Sequence, residues 1–491
     1  MMESIPEGFL ITLELLVYSF VLIIGASILV IIVLYFYDKN QKTSTLRRNY
    51  PVVARFRYLF EHIGEFLRQY FFALDREELP FNRTQRSWCY RAAKDVDSTV
   101  AFGSTKNIHE PGSYHFLNSA FPVLQEDAKK ASELEIGPFC KNPYKTNSII
   151  NVSGMSYGAI SIPAIRALSN GAKAAGIWLN TGEGGLSPYH LEGDCDIVFQ
   201  IGTAKFGVRN TEGGFDEKKL KEVASKKQVK MFEIKLSQGA KPGKGGILPG
   251  AKVTADIAAI RNIGIGEDAI SPNRHPEIES VDDLLDMINF VRDTTNKPVG
   301  FKTVIGSYDW IEELCEKINK KDIKIAPDFI TIDSCDGGTG AAPMSLIDNM
   351  GRPISESLPK VIDILKKHGL KDRIKVIASG KLLNPPEAAW ALCAGADFIL
   401  SARGFMFALG CIQALQCNKN TCPTGVTTHD KKLQRGLDPQ NKSVRVANFA
   451  KNMVKELEVI ANSCGAKEIR GLNRNHVVIV GFDGKAKKIG E

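Results

Sequence analysis

The chain has 491 residues, enough for one large catalytic domain with additions or for two or three domains. Its 44% apolar and 24% charged residues exclude a disordered polymer. A net charge of +8 is modest for this length; it argues against a nucleic-acid-binding protein and suits an anionic membrane face better. The ten cysteines show no framework spacing outside residues 411–422, which excludes a secreted disulfide scaffold and fits a reducing compartment.

Residues 1–40 hold an uncharged apolar run from Leu15 to Tyr37. About 20 such residues cross a bilayer as a helix, so a transmembrane helix is expected. A signal peptide would need a positive start and a shorter apolar core, whereas this start carries Glu3 and Glu7. Lys39, Lys42, Arg47, Arg48, Arg55 and Arg57 follow the run, so the expected topology is single-pass with the bulk of the chain on the cytoplasmic side. Residues 41–80 read as a basic, amphipathic juxtamembrane segment. Phe56, Leu59, Phe60, Ile63 and Phe66 fall on one helical stripe, which either lies on the membrane or packs on the main domain. Residues 81–147 are irregular but too apolar for a linker, and are expected to wrap the domain that follows.

From Ser148 the pattern changes to short strand-like runs: 148–154, 176–180, 196–202, 229–236, 297–304, 328–334, 373–379 and 396–401, most separated by a helix-length segment. Eight such repeats over about 250 residues predict an α/β fold of the TIM (β/α)8 barrel type, here spanning 148–430. A doubly wound sheet is the alternative, but no GxGxxG follows the first run. Residues 431–491 read as a helical extension and tail.

Glycine and polar residues cluster after the runs, at the barrel face where ligands bind: GMSYGAIS (154–161), NTGEGG (180–185), LSQGAKPGKGGILPG (236–250), DSCDGGTGAAP (333–343), ASGKLLNP (378–385) and SARGFMFALG (401–410). Glycine turns after the seventh and eighth strands are the usual phosphate site of this fold, so a phosphate-bearing cofactor is expected. Lys235, Lys241, Lys302 and Lys381 sit at or just past strand ends, suited to a phosphate, an anionic ring or a substrate carboxylate; Lys235 and Lys302 interrupt apolar sequence, where an unpaired ammonium is costly. Glu183 and Asp336, flanked by glycine-rich turns, are candidate polar ligands, and His275 reads as a loop hydrogen bond. Cys411, Cys417 and Cys422 follow the last strand as C-x5-C-x4-C-P. That spacing suits an iron–sulfur cluster, with zinc or three buried thiols as alternatives.

In this order, GMSYGAIS, NTGEGG, QGAKPGKGGILPGAKVT, ISP, DGGTGAAP and GCIQALQCNKNTCPTGV resemble the FMN-binding synthase domain of glutamate synthase, over roughly Asn142 to Asp430. The resemblance implies a TIM barrel carrying FMN and a 3Fe-4S cluster held by Cys411, Cys417 and Cys422. It implies FMN against Met155, Ser156 and Gln200 with Lys302 near its ring, and Lys235 counts with the cofactor set. The phosphate would sit by Gly380, Lys381, Arg403 and Gly404, with Asp336, Gly337 and Gly338 close. Gln238 and Lys241 match residues that hold 2-oxoglutarate or the 2-iminoglutarate formed from it with ammonia, and Glu183 matches a glutamate beside them. The implied activity is reduction of that imine, or a related one, to the amino acid. Two positions depart from the family pattern: Lys244 stands where it has glutamate, and Leu186 where it has an acid. No amidotransferase or NAD(P)H domain is read in the sequence. Nitrogen would therefore come from solution or a separate amidotransferase subunit, and electrons from a donor such as ferredoxin or a reductase subunit. A membrane-anchored electron-transfer subunit without substrate chemistry of its own is the second expectation.

Overall fold

The computed structural model describes residues 7–97 and 99–490, so Glu3 of the acidic start, which speaks against a signal peptide, lies outside the described residues. The chain divides into two compact units that meet between Thr84 and Gln85.

The first unit is helical: α1 (Glu7–Asn40), α2 (Thr45–Asn49) and α3 (Val53–Leu67), which runs into a π-helical turn at Arg68–Phe72. The most apolar 18-residue stretch of α1 has a mean hydropathy of 2.9 and none of it is buried, so the helix is long and apolar enough to cross a bilayer. The turn from α1 to α3 is fixed by one carboxylate. Asp38 is fully buried; it accepts from the Val52 N–H at 3.1 Å and from two nitrogens of Arg55 at 2.8 and 2.7 Å. Val52 itself has φ +67°, a conformation that costs a β-branched residue energy, and the bond to Asp38 holds it there.

The second unit is built on a closed barrel of parallel strands: β1 (Ile150–Val152), β2 (Leu179–Asn180), β3 (Ile197–Ile201), β4 (Val229–Lys235), β5 (Val299–Val304), β6 (Phe329–Asp333), β7 (Lys375–Ser379) and β8 (Phe398–Ser401), with β8 pairing β1. The expected TIM barrel is therefore the observed fold, and each strand-like run supplies one of its strands. These strands read as continuous apolar runs because both faces are covered, one by the barrel interior and one by helices. Those helices include α4 (Ile162–Ala175), α5 (Glu217–Ser225), α6 (Val281–Thr295), α7 (Asp309–Lys321), α8 (Ile354–Lys367) and α9 (Pro385–Ala394). Their ends follow from local chemistry. Reciprocal caps, Ser280 with Asp283 and Asn384 with Glu387, start α6 and α9, and Gly176 at φ +68° stops α4.

The N-terminal end of the barrel is closed. An antiparallel pair, Leu134–Ile136 with Tyr144–Thr146, drives Ile136 and Tyr144 into a core with Trp178, Phe329 and Phe398. Asp328, paired with Arg292 at 3.0 Å and Arg373 at 2.9 Å, ties the same end. The strands' C-terminal end is the open face. A short helix α10 (Arg403–Leu409) follows β8, and the long α11 (Pro439–Ser463) packs along α4. The region after 431 is not only helical. Val477–Val480 pairs antiparallel with Tyr114–Phe116 of the upstream arm and with Ala486–Lys488. The run VVIV is a strand signal, but its partner lies at the other end of the unit, which hides the pairing from a linear reading.

Candidate functional site

A cleft of about 520 Å³, its open mouth included, lies at the C-terminal end of the barrel, where ligands bind in this fold. One wall comes from the ends of β7 and β8 and the turns after them (Ser379, Gly380, Lys381, Ser401, Arg403), the facing wall from β3, β4 and β5 (Gln200, Lys235, Lys302), and Gln238 and Gly338 complete it.

Lys235 and Lys302 are direct neighbours across β4 and β5, a juxtaposition that would repel without counter-charges. Each has its own: Lys235 meets Glu183 at 2.9 Å and Lys302 meets Asp333 at 3.2 Å. Asp333 also accepts from the Gly239 N–H at 2.8 Å, which ties the end of β6 to the loop after β4. Burial works against its ionisation, but Lys302 and that N–H outweigh burial and hold the carboxyl below its usual range. Glu183 behaves alike: burial opposes its charge, while Lys235 first and then Lys241 and Arg261 pull it below the ordinary value. Glycine makes room for it. A Cβ at Gly202 would lie 2.5 Å from the Glu183 Cβ, and one at Gly246 would lie 2.2 Å from its Oε1.

Beside this pair, the Lys235 ammonium donates to the Gln238 carbonyl, and the Gln238 amide donates to Gly338 O at 3.3 Å. Lys241 is 3% exposed, and burial, then the Lys235 charge, lower its pKa to about 8. Lys244 is exposed and adds a smaller push in the same direction. Lys235, Lys241 and Arg261 thus gather around one carboxylate, an excess of positive charge suited to an anionic substrate.

Across the cleft, Lys381 pairs with Asp336 at 3.1 Å, and Arg403 donates to the Asp336 carbonyl at 3.0 Å. Burial lowers the Arg403 pKa to about 10. Gly380 takes φ +116°, and a Cβ there would lie 2.3 Å from that of Ser334. Gly337 packs on Gly239, where a Cβ would come within 2.5 Å of the Gly337 Cα. Gly404 is pressed between Ser401 and Phe449, so packing alone demands its missing side chain. Met155 is buried, and Ser156 abuts Gly182, whose Cβ would lie 2.6 Å from the Ser156 N. The two extend the loop that begins at the cleft-lining Gly154.

Cys411, Cys417 and Cys422 lie on the loop after α10 and are close enough for Cys417 and Cys422 to add to the burial that pushes the Cys411 thiol up to about 12. Burial opposes the Cys422 thiolate too, but bonds from Thr424 and Thr427 outweigh it and hold that thiol below its ordinary value. The buried Thr427 side chain also bonds the Cys417 thiol. The donor chemistry suits a cluster, yet among the described residues no three His, Cys, Asp or Glu side chains converge in metal-holding geometry.

Three site residues escaped the sequence reading. Asp333 and Glu233 carried a signal, an acid inside an apolar strand, in ITIDS and MFEIKL. Arg261 carried none, since it ends a short helix, Ala255–Arg261, whose position only the fold reveals. Glu233, 1% exposed, accepts from Asn180 at 2.8 Å, Gln200 at 2.6 Å and Thr331 at 2.7 Å. A carboxylate only accepts, so both amides turn their NH2 groups to it. The Asn180 carbonyl then receives the Gly182 N–H at 2.9 Å, and Gln200, held by Glu233, lines the cleft. His275 is a structural bond, as expected: its Nε2 meets the Lys235 carbonyl at 3.0 Å and steadies the end of β4.

A parallel barrel with charged residues gathered on the face beyond its strands' C-terminal ends defines an enzyme of the TIM-barrel class. The profile of the family described as "Conserved region in glutamate synthase" matches residues 103–467, and the chain belongs to that family; it is a glutamate synthase-like oxidoreductase. It is 39% identical over 501 residues to the glutamate synthase large subunit-like protein YerD of Bacillus subtilis, covering 94% of this chain and 95% of that one. It is 34% identical to the archaeal glutamate synthase [NADPH] of Methanocaldococcus jannaschii, covering 76% of this chain and 70% of that one. Against the archaeal-type enzyme of Dehalococcoides mccartyi it is 33% identical and spans 64% of the relative's length. Among solved structures, a flavocytochrome b2 variant with benzoylformate bound aligns over 88% of each chain with a TM-score of 0.48 and 14% identity.

Proposed function

We propose that this protein binds FMN in the barrel cleft and reduces 2-iminoglutarate, formed from 2-oxoglutarate and ammonia, or a closely related imine, to the amino acid. The observation that carries the reading is a cleft with cations on both walls, Lys381 and Arg403 on one and Lys235 and Lys302 on the other, within one family-matched barrel. Lys381, Arg403 and the turn at Gly380, with Asp336, Gly337, Gly338 and Gly404 around them, would hold the phosphate. Met155, Ser156, Gln200, Lys235 and Lys302 would hold the ring. The fit rests on the cationic and polar lining of the cleft and on the close approach that Gly154 and Gly380 permit. Bound FMN supplies a hydride equivalent. Everything else falls to the chain: Gln238 and Lys241 orient the substrate carboxylates, Arg261 adds charge, and Glu183 keeps Lys235 and Lys241 in register. Purified full-length protein titrated with FMN tests this by the quenching of flavin fluorescence. Stoichiometric quenching is expected, and free FMN throughout ends the reading.

Lys241 gives the site a pH dependence. Its ammonium persists below about pH 8 and is lost above, so a dicarboxylate binds with constant affinity below about pH 7 and more weakly above pH 8, by up to tenfold per pH unit. Calorimetric titration with 2-oxoglutarate between pH 6.5 and 9.5 measures this, and a flat profile contradicts it.

Cys411, Cys417 and Cys422 are our proposed ligands of a 3Fe-4S cluster, supported by donor chemistry and mutual proximity. Anaerobically purified protein is expected to carry iron with a matching EPR signal, and Cys417→Ser to lose both while keeping its FMN. Iron-free protein under those conditions refutes the assignment. Electrons would come from a partner such as a ferredoxin or a reductase subunit, and ammonia from solution or an amidotransferase subunit. The length and hydropathy of α1 and the basic residues after it support a single membrane span with the barrel on the cytoplasmic side.

A further inference from the structure

The first unit presents an apolar surface that none of its described elements covers. On α3 and the π-turn after it, Phe56, Leu59, Phe60, Ile63, Phe66 and Phe71 are all exposed, Phe60 at 65% and Phe71 at 76%. They recur at the spacing that puts them on one side, while Arg57, Glu61 and Arg68 fall on the other. Arg57 and Glu61 pair along that polar side at 3.0 Å. The helix is not free to turn. Its first residues are clamped to the end of α1 by the Asp38–Arg55 bidentate pair, and the Arg55 guanidinium also lies 5.8 Å from the Tyr37 ring centroid. Gln41 tightens the corner by donating to the Asp38 and Ser44 carbonyls at 2.9 and 2.8 Å. Lys39 reaches back over the Tyr35 ring, the posture of a cation at a membrane border.

We propose that α3 and the turn Arg68–Phe72 lie in the headgroup region of the bilayer that α1 crosses, with the aromatic face buried among the upper acyl carbons. This rests on the membrane reading of α1. The occupant is a lipid surface because the face continues directly from a membrane-length helix through a rigid corner, and because cations accompany it: Arg47 and Arg48 on α2, and Arg57 and Arg68 on the polar side of α3 and its turn. The consequence is functional: an interfacial helix gives the chain a second membrane contact past the span, which restrains how far the barrel can move from the surface.

The test uses the full chain in vesicles of phosphatidylcholine and phosphatidylglycerol whose acyl chains carry bromine at either a shallow or a deep carbon. Single tryptophans are introduced as Phe60→Trp, Phe71→Trp, Phe20→Trp and Glu61→Trp, and each is read as the difference from the parent. An interfacial helix sits about 5–10 Å into the headgroup–acyl boundary, so roughly half of the added emission at 60 and 71 should be lost to shallow bromine and less to deep bromine. Position 20 should respond more to deep bromine, and position 61 to neither. Quenching at 20 without quenching at 60 and 71 overturns this proposal while leaving the span intact; it would mean that protein, from this chain or a second copy, covers the face. Absence of quenching at 20 overturns the span and the proposal together.

Discussion

Lys241→Ala is expected to lower kcat/KM for 2-oxoglutarate and ammonia about a thousandfold, some 4 kcal/mol, with little change in thermal stability. The ammonium is buried and sits beside Lys235, so burial and like charge both work against it, and Glu183 offsets them only in part. Such a group waits for an anion. With the substrate carboxylate in place the two charges pair out of water, and truncating one partner of such a pair costs about 2–5 kcal/mol. Because that pair would exist only with substrate bound, the folded protein loses only the partial charge support that Lys241 gives Glu183, and removing a poorly solvated cation offsets it. Steady-state kinetics with a chemical reductant, set beside a melting curve, separates this from a folding defect: a fall in Tm that matches the loss of turnover contradicts the assignment.

Glu233→Ala should do the reverse, lowering stability by about 4 kcal/mol before any chemistry is considered. Its carboxylate joins β4 to β2, β3 and β6 through Asn180, Gln200 and Thr331, all inside the barrel. Alanine leaves those three donors buried without that acceptor, at about 1–3 kcal/mol each, and some relax toward other groups. Glu233→Gln keeps the volume but brings a second NH2 group among amides already turned to donate, so a smaller loss is expected. Urea unfolding of the three proteins ranks them. Flavin titration of the glutamine variant should show weaker FMN binding, because the cleft-lining Gln200 is no longer held by a carboxylate. Equal stability of the wild type and the alanine variant contradicts the network.

Much of this architecture was legible in the sequence because the barrel strands are separate apolar runs, and a parallel sheet covered on both faces needs only local signals to be seen. Lys235 and Lys302 stood out for the same reason that they matter: a cation in an apolar strand must have a partner. What the sequence hid was the identity of that partner. Asp333 and Glu183 come from other strands and loops, and only barrel closure sets them 3.2 and 2.9 Å from their lysines. Arg261 and the sheet joining Tyr114–Phe116 to Val477–Val480 were unreadable because each depends on a contact between distant segments. The glycines divide similarly. Gly202 and Gly246 make room for Glu183, whereas Gly404, expected beside a phosphate, is already required by Phe449 of α11.

The proposed activity of the cleft is to convert an oxoacid and ammonia into an amino acid. Full-length protein, loaded with FMN under anaerobic conditions and supplied with dithionite-reduced methyl viologen, 2-oxoglutarate and ammonium, should form L-glutamate over many turnovers, with Lys241→Ala close to background. If the dye is consumed without glutamate, and a panel of other oxoacids and amines gives no amino acid either, the protein passes electrons without substrate chemistry and the account is wrong.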